Sequence, residues 1–418
     1  MTGFRRDAQD HAVLGSVRLG QLVRDADIEL PAYVYDVDGM TETLRSLHHA
    51  FGDAPHLVAY AVKANSAGTV VRAFAAEGAG VDAVSAAEVE LALACGVPAS
   101  KLVMSGVAKT DAEIDLALFK GILAIQAESV EELSRIATRA QATGHRADVS
   151  LRLNPGIEID AHSHIATGHD TAKFGISESD LSAAYAVIDG SEGRLAQVGF
   201  SVHLGSMMNA TEAYGRSARK LCDLARERRA TVSTLRFVDF GGGFGIDYGG
   251  EPSVAPSEFA HTCVRTVRDA GLSDLTIVVE PGRSLVAPFG VLVARIVQTK
   301  KSAARQWVMI SAGMNDLIRP ALYSAKHRIE LLESAPQEPE WRVVGPVCES
   351  SDDFGSHPLG PAPAGLVAIR DAGAYGYVMA SEYNGRALPG EVFVRGGKIA
   401  SVSHGPGRKA WLERRLSA

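Results

Sequence analysis

Short apolar runs alternate with amphipathic stretches from about residue 55 to residue 290. The first run, at residues 57–62, precedes a helical pattern at residues 69–77, and the same order repeats along the chain. Strands that alternate with helices are typical of a parallel α/β domain, and eight of them fit a closed (β/α)8 TIM barrel best. The predicted barrel strands are residues 57–62, 80–84, 102–104, 122–125, 148–153, 198–204, 235–240 and 276–279.

The pattern changes after Gly290, where β-prone runs are punctuated by Gly and Pro. This texture predicts an antiparallel β-domain. Its predicted strands are residues 291–299, 307–311, 341–344, 365–370, 375–380, 390–394 and 398–402. A further β-prone run, Ala32-Tyr33-Val34-Tyr35, could complete either part. We therefore expect a barrel of residues 45–290 and a β-domain of residues 1–44 and 291–418.

Composition limits the class of protein. The 418 residues are 46% hydrophobic and 22% charged, which allows a large core and two domains. A net charge of −7, a pI near 6.0 and the lack of a long Lys/Arg block argue against a nucleic-acid partner. No apolar stretch reaches the ~18 residues of a membrane span. No apolar segment follows the basic start either, so we expect a cytoplasmic protein without a membrane partner.

Candidate chemical residues lie at the carboxyl ends of the predicted strands, where barrel enzymes place their active sites. Desolvation at the end of the first strand would make Lys63 a Schiff-base nucleophile, although a solvated lysine would show the same pattern. Asp82 could pair with a lysine or lie in an exposed loop. Arg152, inside the fifth strand, suggests an anionic partner. His203 precedes Gly205, where a ligand could approach the backbone, although a lone histidine is often structural.

The last two strand ends carry a glycine loop and a carboxylate. The loop Gly241-Gly242-Gly243-Phe244-Gly245 offers free N–H groups for a phosphate, and it lacks the spacing of a dinucleotide-binding loop. In Glu280-Pro281-Gly282-Arg283, the acid could form a loop ion pair or keep a pyridine nitrogen protonated. With Lys63 and His203, these loops predict pyridoxal 5′-phosphate (PLP) as the cofactor.

Six motifs between residues 31 and 394 occur in a specific order. They are Tyr60-Ala61-Val62-Lys63-Ala64-Asn65, His203-Leu204-Gly205-Ser206, Gly241-Gly242-Gly243-Phe244-Gly245, Glu280-Pro281-Gly282-Arg283, Cys348-Glu349-Ser350 and Gly373-Ala374-Tyr375. The set resembles the alanine-racemase-fold (type III) PLP-dependent decarboxylases, and most closely the diaminopimelate decarboxylases among them. The resemblance implies a (β/α)8 TIM barrel that binds PLP and a C-terminal antiparallel β-domain. It also implies a homodimer whose active sites are shared between chains.

The resemblance implies a role for each motif. Lys63 would bind the cofactor covalently, His203 would pack on its ring, and Glu280 would keep the ring nitrogen protonated. Cys348, contributed by the partner chain, would return a proton to Cα, although free cysteines are often buried hydrophobes instead. The catalytic residues would be Lys63 and Cys348. The expected cofactor-binding residues are Lys63, Asp82, His203, Ser206, Gly242, Gly243, Glu280, Gly282, Arg283 and Tyr375.

The implied reaction converts meso-2,6-diaminopimelate to L-lysine and CO2, in lysine biosynthesis. Arg319 could hold the distal carboxylate bidentately, and Glu349 of the partner chain would hold the distal amine. The expected substrate-binding residues are Arg152, Arg283, Arg319, Tyr323, Glu349 and Tyr375. Met207-Met208 and Glu382 depart from the family pattern, which more often has glutamine and asparagine there. A related decarboxylase of secondary metabolism, acting on a carrier-bound glutamyl group, ornithine or arginine, would keep the same cofactor motifs.

Three other possibilities are less consistent with the sequence. An amino-acid racemase of this fold favours an uncharged ring nitrogen held by arginine, whereas this chain has Glu280. A non-catalytic cofactor-binding protein would be a lone barrel, without the ~130 residues that follow it here. His162, His164 and His169 lack a clear ligand spacing, so we expect no metal.

Overall fold

The computed structural model describes residues 3–157, 173–250 and 252–417. The chain divides into two compact units. The barrel unit comprises Leu44–Ile246 and Ser253–Ser284, and the β-unit comprises Met1–Thr43, Asp247–Pro252 and Leu285–Ala418. The first elements along the chain are β1 Phe4–Arg6, β2 Ala12–Leu14, β3 Val17–Arg18, α1 Leu19–Asp25, β4 Ala32–Asp36 and α2 Val37–Ala50.

The barrel unit contains a closed barrel of eight parallel strands, so the prediction of a TIM barrel is confirmed. Each strand pairs with the next along the chain, and the last pairs with the first. The strands are β5 His56–Ala61, β6 Gly80–Ala83, β7 Leu102–Met104, β8 Ala124–Ala127, β9 Ala147–Leu153, β10 Leu195–Val202, β11 Phe237–Asp239 and β12 Thr276–Val279. β7 and β12 coincide with their predicted ranges.

Local sequence accounts for the helices between these strands. They are α3 Gly68–Ala76, α4 Ala86–Ala94, α5 Asp111–Lys120, α6 Val130–Thr143, α7 Leu181–Asp189, α8 Glu212–Arg229 and α9 Pro256–Asp269. α5 begins with a capping box between Thr110 and Glu113 and ends at Gly121, whose φ of +61° favours glycine. In α6, Leu133, Ile136 and Ala140 are buried at helical spacing.

None of the helices in the described ranges combines the length and apolar character needed to cross a membrane.

The barrel interior is apolar in one layer and polar in another. The apolar cluster comprises Leu57, Ala59, Val103, Ala124, Ala196, Val198, Phe237 and Val278. Buried polar side chains lie nearer the carboxyl ends of the strands, and they include Asp82, Gln126, Asp239 and Glu280. Because buried charges need partners, this polar layer marks the carboxyl end as the candidate site.

The chain continues into the β-unit. The remaining elements are α10 Arg283–Val286, β13 Gly290–Lys301, β14 Gln306–Ile310, α11 Arg319–Tyr323, β15 Ile329–Leu331, β16 Glu340–Val344, β17 Asp353–Pro358, β18 Leu366–Ile369, β19 Gly390–Arg395, β20 Lys398–Ser403 and α12 Arg408–Leu416. The main sheet has the order β17-β16-β14-β13-β4-β19-β20, and β18 also pairs with β13. Most pairs are antiparallel, but β14 pairs with β16, and β4 with β19, in parallel. The prediction of an antiparallel domain is thus correct for most of the sheet, and β4 belongs to it.

The predicted strand at residues 375–380 is wrong. Tyr375 has a φ of +55°, in the left-handed region, and a 3-10 turn at Tyr377–Met379 follows it. A strand requires an extended backbone at each residue, so the β-prone composition of this segment is overridden by its turn.

Candidate active site

Lys63 lies just beyond the carboxyl end of β5, in a 3-10 turn at Val62–Ala64. The hydroxyl of Tyr60 donates to the backbone oxygen of Asn65 at 2.9 Å and so holds this turn. The Nζ of Lys63 lies 2.6 Å from Oδ2 of Asp82 on the adjacent strand β6. Asp82 is therefore the buried partner of Lys63 and not an exposed loop acid.

Asp82 is stabilised in its ionised form. Ser105, directly after β7, donates to its Oδ1, while Lys63 donates to the other oxygen. Burial alone would raise the pKa of Asp82, but the charge of Lys63 and these two hydrogen bonds outweigh it and lower the pKa below its usual value. The ionised carboxylate keeps the amine of Lys63 in one place at the carboxyl end of the barrel.

Glu280 belongs to a second buried group that spans the barrel. Gln126, on β8, donates from Nε2 to Oε1 of Glu280 and to Oδ2 of Asp239, both at 2.8 Å. Asp239 ends β11 and Glu280 directly follows β12. Since β8 pairs with neither β11 nor β12, Gln126 reaches across the barrel interior. This side chain fixes the orientation of Glu280.

At the carboxyl end of the barrel, the buried carboxyl groups outnumber the positive charges that lie beside them. Burial, then Asp239 and Asp82, raise the pKa of Glu280 well above its usual value, while Lys63 opposes the shift. Burial also raises the pKa of Asp239 to about 6. A protonated pyridine nitrogen would supply positive charge and donate a hydrogen bond to a carboxylate. The cluster therefore fits a cofactor with a basic ring nitrogen.

His203, directly after β10, has a defined protonation state. Its Nδ1 accepts a hydrogen bond from the backbone N–H of Gly242 at 3.3 Å, so the ring proton lies on Nε2. Burial, then Arg152 and Lys63, lower the pKa of His203 to about 3. The ring is neutral at physiological pH, and a neutral ring in one tautomer suits stacking on an aromatic cofactor.

The glycine loop after β11 packs against backbone. A Cβ on Gly242 would lie 2.0 Å from the carbonyl oxygen of Glu280. A Cβ on Gly243, which has a φ of +87°, would lie 2.2 Å from the carbonyl oxygen of Gly205. Any side chain at these positions would displace the loop or the backbone beneath it, so the loop needs glycine for its shape.

Only some of the backbone N–H groups in the glycine loop are free to bind a phosphate. The predicted phosphate site is therefore smaller than the whole loop. Gly241 donates its N–H to Oδ1 of Asp239 at 2.9 Å, and the following amide is bonded to His203. Within residues 3–157, 173–250 and 252–417, the N–H groups of Gly243 and Phe244 donate to no acceptor. These two adjacent donors fit a phosphate oxygen. Asp239 also connects the loop to the Gln126–Glu280 group.

We expect Gly242→Ala to weaken PLP binding. Overpacking a site by one methyl group costs about 1–3 kcal/mol, so the dissociation constant of PLP should rise by about tenfold. Fluorescence titration of the apoprotein with PLP measures this constant. Gly250→Ala is the matched control because a Cβ there contacts nothing within 4 Å. An unchanged dissociation constant in a folded Gly242→Ala protein would show that the loop does not hold the phosphate.

Arg283 and Ser206 lie together beside the site. Arg283 is the first residue of α10, and its Nη2 donates to Oγ of Ser206 at 3.0 Å. Gly282 packs against the Lys63 turn, where a Cβ would lie 3.0 Å from Cβ of Ala64. The predicted residues of the last barrel loop are therefore adjacent to the lysine and to the loop after β10.

Met207-Met208 has a structural explanation in the barrel unit. Met208 is buried and exchanges backbone hydrogen bonds of 2.9 Å with Gly243 and Gly245. Met207 has a φ of +66°. The departure from the family pattern at this point therefore lies beneath the glycine loop, where Met208 supports its backbone.

The anionic partner predicted for Arg152 is an internal carboxylate. Nη1 of Arg152 donates to Oε1 of Glu128 at 2.5 Å, and both side chains are buried. The guanidinium also lies 5.0 Å from the ring centroid of Phe174. These contacts explain an arginine inside a barrel strand, and its contact with a substrate stays a prediction.

The other predicted site residues lie in the β-unit. Arg319 begins α11 and is buried; its Nη1 donates to Nε2 of His327 at 2.7 Å. Its guanidinium lies 4.6 Å from the ring centroid of Tyr248. Tyr323 ends the same helix four residues later, so the two side chains share a face. Tyr375 has the left-handed conformation described above.

Cys348 and Glu349 lie on an exposed loop of the β-unit. The N–H of Cys348 donates to Oδ1 of Asn384 at 2.9 Å, and the hydroxyl of Tyr383 donates to Oε1 of Glu349 at 2.5 Å. Cys348 is exposed, whereas the other three cysteines, Cys95, Cys222 and Cys263, are buried. An exposed thiol with an anchored backbone can act on a molecule bound beside it.

The three histidines considered as metal ligands, His162, His164 and His169, lie outside the described residues. Among the residues that the structure does describe, no group of three or more His, Cys, Asp or Glu is placed to hold a metal ion.

Three residues of the site are not predicted from the sequence: Ser105, Gln126 and Asp239. Asp239 directly precedes the glycine loop, and Gln126 is a polar residue inside the buried strand β8. A polar side chain in a barrel strand whose neighbours are apolar is the signal that would have found both. Ser105 follows β7 without such a signal.

A barrel that places an amine beside one buried acid, and holds a second buried acid at the same end of its strands, has features that suit PLP binding. Residues 37–287 match the family model described as pyridoxal-dependent decarboxylase, pyridoxal binding domain. The chain therefore belongs to the pyridoxal-dependent decarboxylases. It is a PLP-dependent carboxy-lyase, and the family predicted from the motifs is confirmed.

Known proteins resemble the chain over most of its length. The diaminopimelate decarboxylase of Zymomonas mobilis is 37% identical over 378 residues, which cover 89% of each chain. The crystal structure of diaminopimelate decarboxylase from Helicobacter pylori complexed with L-lysine has a TM-score of 0.87 at 36% identity and covers 93% of this chain and 97% of that one. The M. jannaschii diaminopimelate decarboxylase in complex with L-lysine has a TM-score of 0.90 at 28% identity and covers 99% and 98%.

Proposed function

We propose that this protein decarboxylates meso-2,6-diaminopimelate to L-lysine and CO2, using PLP. The observation that carries the proposal is the placement of Lys63 and Glu280 at the carboxyl end of one barrel, the first beside Asp82 and the second held by Gln126. Relatives that cover 89% of the chain are named for this reaction, and two similar structures hold L-lysine, its product. We further infer a cytoplasmic homodimer without a nucleic-acid partner.

In this proposal each of the barrel residues has a separate role. PLP, when bound, draws electrons from Cα of the amino acid and so weakens its bond to the carboxylate. Lys63 would hold the cofactor covalently through its amine. Glu280 would keep the ring nitrogen protonated, and His203 would hold the aromatic ring. Gly243 and Phe244 would donate their N–H groups to its phosphate.

Residues of the β-unit complete the reaction in this proposal. Arg319 binds the distal carboxylate of the substrate and Tyr323 lines the same helix face, while Glu349 binds the distal amine. The thiol of Cys348 donates a proton to Cα after CO2 has left, and the thiolate regains a proton from solvent. In the homodimer, Cys348 and Glu349 act on the cofactor of the partner chain.

The alternative substrates have less support. Met208 lies beneath the glycine loop, and Glu382 forms an ion pair with Arg414 inside the β-unit. Both departures from the family pattern therefore have internal partners and do not require a different substrate. Arg319 also favours an anion at the far end of the substrate, which ornithine and arginine lack.

The proposed substrate is tested by measuring CO2 released by the purified holoenzyme. The assay compares meso-diaminopimelate with ornithine, arginine and glutamate at equal concentrations. We expect meso-diaminopimelate to be decarboxylated with the highest kcat/KM. Release of CO2 from ornithine, arginine or glutamate alone would replace the proposed substrate, and release from none of the four would refute it.

Mixing two inactive variants tests the shared active sites. Lys63→Ala disables the barrel side, and Cys348→Ala disables the β-unit side, so each homodimer should be inactive. A heterodimer of the two variants contains one active site with neither substitution and one with both. We therefore expect the heterodimer to have about half of the activity of the wild-type dimer. The measurement is CO2 release from heterodimers purified through two different affinity tags. Tagged homodimers mixed after purification serve as the control, and heterodimers with no activity would place each site within one chain.

A further inference from the structure

The loop that carries Cys348 and Glu349 is fixed separately at its base and at its tip. At the base, the buried Asp352 accepts hydrogen bonds of 2.6 Å from the backbone N–H groups of Met314 and Val347. These bonds determine where the loop leaves the sheet. They do not reach the two exposed side chains, whose positions depend on contacts at the tip.

The tip of the loop is held by the turn at Tyr383–Gly385. As described above, Asn384 accepts the N–H of Cys348, and Tyr383 donates to Glu349. Asn384 has a φ of +55°, in the left-handed region, which asparagine adopts more readily than most residues with a side chain. The positions of Cys348 and Glu349 therefore follow the position of this turn.

The C-terminal helix α12 contacts the chain at both ends of the turn. Arg414 donates from Nη2 to Oε1 of Glu382, immediately before the turn. At the other end the ring of Trp411 lies against Gly385, where a Cβ would be 3.2 Å from it. α12 has no buried residue, and the helix and the turn together line a cavity of about 640 Å³. The helix is therefore attached to the turn through these local contacts and not through a shared core.

The Glu382–Arg414 ion pair is better explained by its effect on the position of the turn than by a contribution to the global stability of the protein. The side chain of Glu382 is 22% exposed and that of Arg414 is 52% exposed, and ion pairs this exposed contribute little to global stability. A neutral amide in place of Glu382 could not form this ion pair. Glu382 supplies the negative charge with which Arg414 on α12 pairs.

We propose that Glu382 and Arg414 are positioning residues, which hold Cys348 and Glu349 for proton return through the turn at Tyr383–Gly385. The inference rests on the proposed function, in which the thiol of Cys348 protonates Cα. Neither Glu382 nor Arg414 touches the reacting atoms. Without the ion pair, the turn and the loop tip move, and the thiol is aligned with Cα for less of the time.

Three variants of the holoenzyme test this proposal: Glu382→Gln, Arg414→Gln and the exchanged pair Glu382→Arg with Arg414→Glu. Two quantities are measured, kcat with meso-diaminopimelate and the rate at which iodoacetamide alkylates Cys348, located by peptide mass spectrometry. We expect each single substitution to lower kcat by about three- to tenfold. It should also change the alkylation rate by a similar factor while Tm stays constant. The exchanged pair should restore both quantities to within about twofold of the wild type.

Glu413→Gln and Lys409→Gln are the matched controls. Each removes one charge of matching sign from α12, where Lys409 and Glu413 pair with each other and not with the turn. Both controls should keep the wild-type kcat and alkylation rate. The proposal is overturned if the single substitutions leave either quantity unchanged, or if the exchanged pair recovers neither. If the wild type releases no CO2, the proposed function fails, and the alkylation rates alone then decide whether the pair positions Cys348.

Discussion

Lys63→Ala is expected to lower the rate of CO2 release by at least about a thousandfold. The amine of Lys63 lies 2.6 Å from the buried, ionised Asp82, and alanine removes both the nucleophile and the charge that balances this acid. The visible absorbance of the lysine-bound cofactor should disappear as well. Both effects are measured on the purified variant in the presence of excess PLP, by a CO2 assay and by absorption spectroscopy.

Lys63→Arg separates the two functions of the lysine. Arginine keeps a positive charge beside Asp82, but it stays protonated and cannot form the covalent link. We expect Lys63→Arg to be as inactive as Lys63→Ala while its thermal stability stays closer to that of the wild type. Borohydride reduction followed by mass spectrometry should attach the cofactor to the wild type alone. Retention of the visible absorbance in Lys63→Ala would refute the covalent role.

Glu280→Gln is expected to lower kcat by about 10²- to 10³-fold, the usual range for removal of one preorganised electrostatic group. In the proposed function the carboxylate of Glu280 keeps the ring nitrogen protonated, and a neutral amide could not stabilise that charge. Cofactor attachment through Lys63 does not depend on Glu280, so the variant should still contain PLP. Steady-state kinetics and the absorbance of the purified variant measure the two properties.

Glu280→Asp is the companion variant because it keeps the charge and shortens the side chain. We expect it to retain more activity than Glu280→Gln, since charge and not shape is the required property. Equal kcat values for Glu280→Gln and the wild type would mean that the ring nitrogen does not need this acid. Loss of PLP from Glu280→Gln would instead show that Glu280 contributes to cofactor binding.

Much of the barrel could be predicted because its signals are local. Strand β12 and helix α6 follow from the apolar spacing and polar ends of their own sequences. The left-handed conformation of Tyr375 is not encoded by any such period, and the strand predicted there is wrong. The run Ala32-Tyr33-Val34-Tyr35 does not by itself assign β4 to one part, because a β-prone run of four residues fits a barrel and a β-sheet equally well.

The candidate site also contains residues that the sequence locates and partners that it does not. Lys63, Glu280 and the glycine loop lie at strand ends, and strand ends can be located from the sequence. The partners of these residues cannot, because Gln126 bonds to Glu280 across 154 positions and Tyr383 bonds to Glu349 across 34. The sequence predicts an anionic partner for Arg152, but which acid fills that place, Glu128, depends on which side chains meet inside the barrel.

The order of strands and helices along the chain therefore predicts the fold class, and the residues at the strand ends predict PLP as cofactor, since both depend on short-range patterns. The resemblance of six short motifs implies the decarboxylase family. Folding in three dimensions decided the rest. It buried Asp82 beside Lys63 and placed Gln126 between Asp239 and Glu280. It also bonded the N–H groups of Gly241 and Gly242 to Asp239 and His203, and joined α12 to Glu382, directly before the turn at Tyr383–Gly385. These contacts connect residues that are distant in sequence, and no local period or propensity encodes which of them will meet.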